Sequence, residues 1–189
     1  MQKLILASGS PRRREILTLA GVPFEVVVAA EETAPAGLTP AAYTLALARC
    51  KAQAVFAQHP ERVVLGADTI VVLDDTVLGK PRDEKDAVEM LLALGGRTHQ
   101  VMTGVWVCSP DKCEGFTDIA SVHFYPLTRK EAENYVATKE PMDKAGSYGI
   151  QGYGMRFVRG IDGDFYTVMG LPGGRTRRFL EQFDIEMTP

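Results

Sequence analysis

The sequence predicts an α/β fold: a mixed, partly antiparallel twisted sheet flanked by helices, carried as one domain over residues 1–189. Three observations lead there. Short apolar runs alternate with helix-like stretches along the whole chain, the pattern of strands and helices that share a core. Two β-rich segments, 99–108 and 116–125, follow each other across a short polar stretch and read as paired strands. With 46% hydrophobic and 24% charged residues over 189 positions, the chain can bury a sizeable core without a staple.

The elements follow in order. Residues 4–7 are a short apolar strand. Residues 11–20 are a helix, with Ser10 at the N-cap, Pro11 at the first helical position and Gly21 just past the end. Residues 24–29 are a strand rich in valine. A longer helix, 40–58, opens after Thr39 and stops before Pro60. Residues 62–73 form a continuous apolar strand of the kind buried on both faces. A helix at 86–94 is closed by Gly95-Gly96, and Thr128-x-x-Glu131 is a capping box opening a helix at 128–138. Residues 155–159 and 165–169 read as a hairpin around Asp162-Gly163, and 174–183 as the last helix.

Charge and cysteine content exclude several classes. The net charge is −3, which argues against a nucleic-acid binder. No apolar run approaches the ~18 residues of a membrane span, and the start of the chain lacks the apolar stretch of a signal peptide. Cys50, Cys108 and Cys113 contain no Cys-x-x-Cys pair and read as structural or surface thiols in a reducing compartment. The expectation is a cytoplasmic protein with neither nucleic-acid nor membrane partners.

Four places carry chemistry. In Ala7-Ser8-Gly9-Ser10-Pro11-Arg12-Arg13-Arg14, small residues lead into a helix whose first turn holds three arginines. Cations there oppose the helix macrodipole, so removing Arg12 or Arg13 should relieve a conflict; a docked phosphate would relieve it too. Asp68 stands in the otherwise apolar strand. It is either satisfied by main chain or a neighbouring lysine, or it binds a divalent metal or activates water. Gly66 and Ala67 leave room beside it for something to approach. Gly79-Lys80-Pro81 holds Lys80 on a turn, either as a phosphate clamp or as a plain surface lysine. Residues 140–154 contain four glycines and a proline, a shaped loop in which the Gln151 amide can donate and accept at one flat polar edge. The Walker A pattern, G-x-G-x-x-G, H-E-x-x-H and G-x-S-x-G are all absent.

Together these features resemble the Maf family of nucleoside triphosphate pyrophosphatases. The carrying blocks are Leu6-Ala7-Ser8-Gly9-Ser10-Pro11-Arg12-Arg13, Gly66-Ala67-Asp68-Thr69, Gly79-Lys80-Pro81, His99-Gln100-Val101-Met102-Thr103, Asp143-Lys144-Ala145-Gly146, Tyr148-Gly149-Ile150-Gln151-Gly152 and Val168-Met169-Gly170-Leu171-Pro172. The resemblance implies two lobes with an active-site cleft. It also implies conversion of a nucleoside triphosphate and water to the monophosphate and pyrophosphate, with Mg²⁺ or Mn²⁺ as cofactor. Ser8, Arg12 and Arg13 would hold the triphosphate, and Lys51 and Lys80 would neutralise its charge. Asp68 would be the proton acceptor or metal ligand, and Glu32, of the Glu31-Glu32 doublet, would assist the metal. Arg12, Thr69 and Gln151 match the positions tied to substrate choice. Ile150-Gln151-Gly152 looks like the subgroup acting on dTTP and UTP; the 7-methyl-GTP subgroup carries Glu at that point. Modified pyrimidine nucleotides fit the same pattern. Gly173-Gly174 departs from the larger residues that relatives place there. The resemblance further implies a homodimer. The competing reading is a nucleotide-binding regulator of cell division, or septum formation, acting without turnover.

Overall fold

The strand β1 (Leu4–Leu6), wholly buried, lies between two parallel neighbours, β2 (Phe24–Val26) and β3 (Val64–Leu73). The computed structural model describes residues 3–28 and 36–188. Among the described residues seven strands form one open mixed sheet in the order β2-β1-β3-β5-β6-β7, where β5 is Thr98–Cys108, β6 Cys113–Phe124 and β7 Val158–Asp162. The short β4 (Thr76–Leu78) pairs antiparallel with the end of β3. Helices flank the sheet: α1 (Pro11–Leu19), α2 (Pro40–Phe56), α3 (Glu84–Leu94), α4 (Arg129–Val136), α5 (Phe165–Met169) and α6 (Gly173–Leu180).

The chain divides into two units. The first comprises Met1–Thr69, Thr103–Asp118 and Gly170–Pro189; the second comprises Ile70–Met102 and Ile119–Met169. In the first unit, Ile5, Ala7, Val55 and Val64 form a fully buried cluster joining β1, β3 and α2. In the second, α3 and α4 bury Ala87, Leu91, Leu94, Ala132 and Tyr135 against Val71, Val101, Val122 and Phe124 of the strands. Burying the valine, leucine, isoleucine and phenylalanine side chains among them is worth about 1.5–3 kcal/mol each.

The seat of α2 explains one sequence feature. The buried face of α2 is Thr44, Ala48, Ala52 and Val55, spaced at i+4, i+4 and i+3. A Cβ on Gly66 of β3 would collide with the Ala48 carbonyl oxygen and lie 2.6 Å from the Ala52 nitrogen. A Cβ on Gly104 of β5 would lie 2.6 Å from the Thr44 carbonyl oxygen. What the room at Gly66 admits is therefore helix backbone.

Several expectations are corrected. Residues 165–169 are a helix, because Asp164 accepts the Tyr166 amide at 2.9 Å and its carbonyl accepts the Thr167 amide, which starts a helical turn where the hairpin reading places a strand. Residues 155–157 belong to a 3-10 turn, Gly152–Phe157, and the strand begins only at Val158. The hairpin partner β4 escapes the sequence reading because Thr76 and Val77 are exposed and the strand is three residues long. The α3 helix starts two residues early because Asp83 caps it, accepting from the Asp86 amide. The last helix starts at Gly173, whose missing side chain leaves room for Ile16 of α1; a Cβ there would lie 2.9 Å from the Ile16 methyl. Finally, Cys108 and Cys113, read as thiols, are joined in a disulfide, because the Ser109–Lys112 main-chain bond of 2.8 Å folds the ends of β5 and β6 together. Cys50 lies outside that bond. Among the described residues no helix is long and apolar enough to cross a membrane.

Candidate functional site

Asp68 leaves the buried run of β3 at its one half-buried step, Asp68-Thr69. The side chain is 15% exposed and its Oδ1 is ion-paired with the Lys51 ammonium, itself 26% exposed. Lys51 stands two helical turns beyond Thr44 on α2. Thr44 is fully buried and donates to the Asp68 carbonyl at 3.1 Å. So α2 grips both the main chain and the carboxylate of one residue. Among the described residues Oδ2 of Asp68 accepts no hydrogen bond.

Arg13 ties the loops of the first unit together. Its Nη1 donates to Ser8 Oγ at 2.9 Å, its Nη2 to Thr69 Oγ1 at 3.2 Å and its Nε to the Gly170 carbonyl at 2.9 Å. Burial pushes the guanidinium below its ordinary pKa, with the Asp68 charge opposing and Arg12 adding to the shift; an arginine remains charged throughout. Ser10 occupies the N-cap of α1 but its side chain makes no capping bond; its amide donates instead to Ser8 Oγ at 3.3 Å. Ser8 Oγ thus accepts twice, and its proton is left to donate. The Thr69 hydroxyl also meets the buried Thr103 hydroxyl at 2.9 Å. Arg12 lies partly buried on the same first turn.

The structure therefore brings Ser8, Arg13, Lys51, Asp68 and Thr69 together within one unit. Lys80 and Gln151 belong to the other. Lys80 is exposed and makes no hydrogen bond or ion pair among the described residues, and the Gly79 carbonyl before it accepts from the Gly146 amide at 3.1 Å. Gln151 is half-buried in extended backbone, and its carboxamide has no hydrogen-bond partner among the described residues. Glu31 and Glu32 lie outside the described residues.

Beneath the Gln151 loop is a buried polar pair. His99, 2% exposed, meets the Tyr148 hydroxyl at 2.8 Å, and both rings pack edge-on against Phe124. Burial lowers the His99 pKa to about 4, so the ring is neutral at physiological pH, and burial raises Tyr148 well above the ordinary phenol value. Sequence reasoning gave no role to Thr44, Thr103 or Gly170. Thr103 and Gly170 sit inside quoted motif blocks, which was the available signal; Thr44 had none, since a threonine on a helix face resembles any other.

The family model described as Maf-like protein matches residues 3–183. The chain belongs to the Maf family. Among curated Maf relatives, the dTTP/UTP pyrophosphatase of Bacillus cytotoxicus is 56% identical over 185 residues, covering 97% of each chain. That of Bacillus mycoides is 54% identical over 189 residues, covering 100% of this chain and 99% of the relative. That of Bacillus cereus is 52% identical with the same coverage. Among solved structures, the Staphylococcus aureus Ham1 protein superposes with a TM-score of 0.50 at 14% identity, covering 95% of this chain and 98% of that one. At that identity the likeness concerns the fold alone. All the motif blocks that carry the Maf resemblance fall inside the matched span.

Proposed function

We propose that the protein hydrolyses nucleoside triphosphates, dTTP and UTP before others, to the monophosphate and pyrophosphate by attack of water on the α-phosphate. The observation that carries the reaction is the Asp68 carboxylate, held by Lys51 through one oxygen while the other is without a hydrogen bond among the described residues. That free oxygen can accept the proton of an attacking water, or orient it. Lys51 and Arg13 place positive charge beside the carboxylate, where a triphosphate would lie. Three of the five Arg13 donors are already engaged, so Arg13 holds Ser8, Thr69 and Gly170 in place and offers two N–H groups to a phosphate. Ser8 donates its remaining proton. Arg12 and Lys80 supply further charge, and Gln151, whose amide has no partner among the described residues, reads the pyrimidine edge.

Mg²⁺ or Mn²⁺ fits this donor set. Such ions take oxygen ligands, commonly one or two carboxylates completed by phosphates and water, and Asp68 has an oxygen to give. Among the described residues no cluster of acidic, histidine or cysteine side chains forms a dedicated cage. Asp68, with Glu32 as the second carboxylate, would hold the ion. When bound, it would withdraw charge from the phosphates and the pyrophosphate leaving group.

The choice of dTTP and UTP rests on relatives of that name at 52–56% identity over nearly the whole chain. Those names also favour turnover over a purely regulatory binding role in cell division. The reading includes modified pyrimidine nucleotides as substrates, a cytoplasmic location and a homodimer, checked by cell fractionation and by sedimentation of the pure protein. The deciding experiment is a screen of pyrophosphate release across canonical and modified nucleoside triphosphates with Mg²⁺ or Mn²⁺. UTP and dTTP should lead. No release from any nucleotide would leave binding without turnover.

A further inference from the structure

Among the described residues the Gln151 carboxamide has no side-chain tether, and what holds it there acts through the main chain. The residues on both sides of it are tied to one pair, the buried Tyr135 and the half-buried Glu140. After Gln151, the Tyr153 amide donates to Glu140 Oε2 at 2.9 Å and the Gly154 amide to Glu140 Oε1 at 3.2 Å. Before it, the Gly149 amide donates to the Tyr135 hydroxyl at 3.0 Å, and that hydroxyl donates to Glu140 Oε1 at 2.8 Å. The direction of each bond is unambiguous: amides only donate, and an ionised carboxylate only accepts. Proton donation therefore runs from Gly149 through Tyr135 into Glu140, and from Tyr153 and Gly154 into the same group.

We propose that Glu140 is a positioning residue for base selection, fixing with Tyr135 the main chain on both flanks of Gln151. The proposal rests on Gln151 reading the base.

The fit of the loop supports it. Gly152 sits at φ +74°, where a side chain is strained, and a Cβ there would lie 2.7 Å from Glu140 Oε2. The loop is wrapped on the carboxylate with no room for a methyl group between. Tyr135 is 2% exposed, so the hydroxyl works in a site where an unmade bond is costly. Burial resists ionisation of Glu140, but the Tyr153, Tyr135 and Gly154 donors and the Lys144 charge outweigh it and hold the group below the ordinary carboxylate range. Lys144 also donates to the Glu140 carbonyl and to Asp143, which anchors the start of the turn. A glutamine at position 140 would keep shape and volume but turn an NH₂ toward a main-chain N–H. A phenylalanine at position 135 would remove one oxygen and, with it, the Gly149 bond and one of the three bonds to Glu140.

The test is kcat/KM for UTP and CTP in the full-length protein and in Glu140→Gln, Tyr135→Phe, Gln151→Ala and the Glu140→Gln/Gln151→Ala double variant. Amide exchange at Tyr153 and Gly154 is measured alongside. Glu140→Gln and Tyr135→Phe should each lower the UTP-over-CTP ratio by about 5- to 50-fold. Amide exchange should speed up, and the double variant should match Gln151→Ala alone. If Glu140→Gln fails to fold, Tyr135→Phe decides by itself. Unchanged selection in both single variants, with selection lost in Gln151→Ala, overturns Glu140 and leaves Gln151 standing. Unchanged selection in Gln151→Ala removes the base-reading role and this proposal with it. An equal further loss on adding Glu140→Gln to Gln151→Ala, or unaltered amide exchange, shows a merely structural carboxylate and overturns it as well.

Discussion

The two halves of the candidate machinery are held by different kinds of bond. In the first unit, charged side chains meet side chains and a carbonyl: Lys51 with Asp68, and Arg13 with nearby Ser8 and with the distant Thr69 and Gly170. In the second, a carboxylate and a phenol hold main-chain amides no more than 14 residues away. The first arrangement concentrates charge where a polyanion can be met. The second commits its carboxylate to main-chain amides and a phenol, and so holds a shape. Charge suits a substrate part that is the same in every nucleotide, and shape suits the part that differs.

If that division holds, changes in the first unit should cost rate for all substrates. Asp68→Asn keeps volume and an acceptor for Lys51 but loses the base. It should lower pyrophosphate release by ~10²–10⁴-fold on every nucleotide in a variant that still folds, with some loss of melting temperature from the broken Lys51 pair; near-normal turnover would break the contrast at its centre. Arg13→Ala is next. The dipole argument favours removing a cation from the start of α1, but the three bonds of Arg13 reverse that expectation. The variant should lose about 3 kcal/mol of stability, read from urea unfolding, as well as affinity for nucleotide.

His99 sharpens the other side. Its folded pKa of about 4 lies below the ordinary 6.5. Between those values the unfolded chain takes up a proton that the folded chain refuses. Stability should therefore fall as pH drops from 6.5 to about 4, by at most about 3 kcal/mol, and level off below. His99→Gln should flatten that slope in unfolding curves taken across the window; an unchanged slope assigns it elsewhere. The smallest effect should come from Gln151→Glu. A carboxylate facing a pyrimidine carbonyl offers no proton, a loss of ~1–3 kcal/mol or ~5–150-fold in kcat/KM for UTP and dTTP. An equal loss on every nucleotide would place Gln151 with the phosphates and erase the distinction.

Much of this was legible in the sequence, and unevenly so. The strand around Asp68, the helix of Lys51 and the glycine-rich loop of Gln151 announce themselves through apolar runs, caps and glycines. The pairing of Lys51 with Asp68 does not, because it depends on the closeness of α2 to β3. The Gly66 gap was visible, but a gap does not say whether ligand or backbone fills it. The hairpin reading fails at 165–169 because a five-residue run with four apolar or aromatic side chains fits either period, and the deciding feature is the Asp164 cap. The Cys108–Cys113 disulfide was missed because pairing follows from a turn whose conformation composition does not reveal.

The seat of α2 on Gly66 and Gly104 also bears on how this chain can be altered. Replacing glycine by alanine inside a strand is a common route to a sturdier protein, since it narrows the unfolded ensemble. Here the added methyl at position 66 would meet the backbone of the helix that carries Lys51, and the one at position 104 the backbone at Thr44. Helix backbone yields only as a rigid body. Either change would push the lysine away from its carboxylate without touching a single charged group. Two hydrogen atoms thus act as spacers for the charge pair, and stabilising libraries for this chain should leave both positions alone.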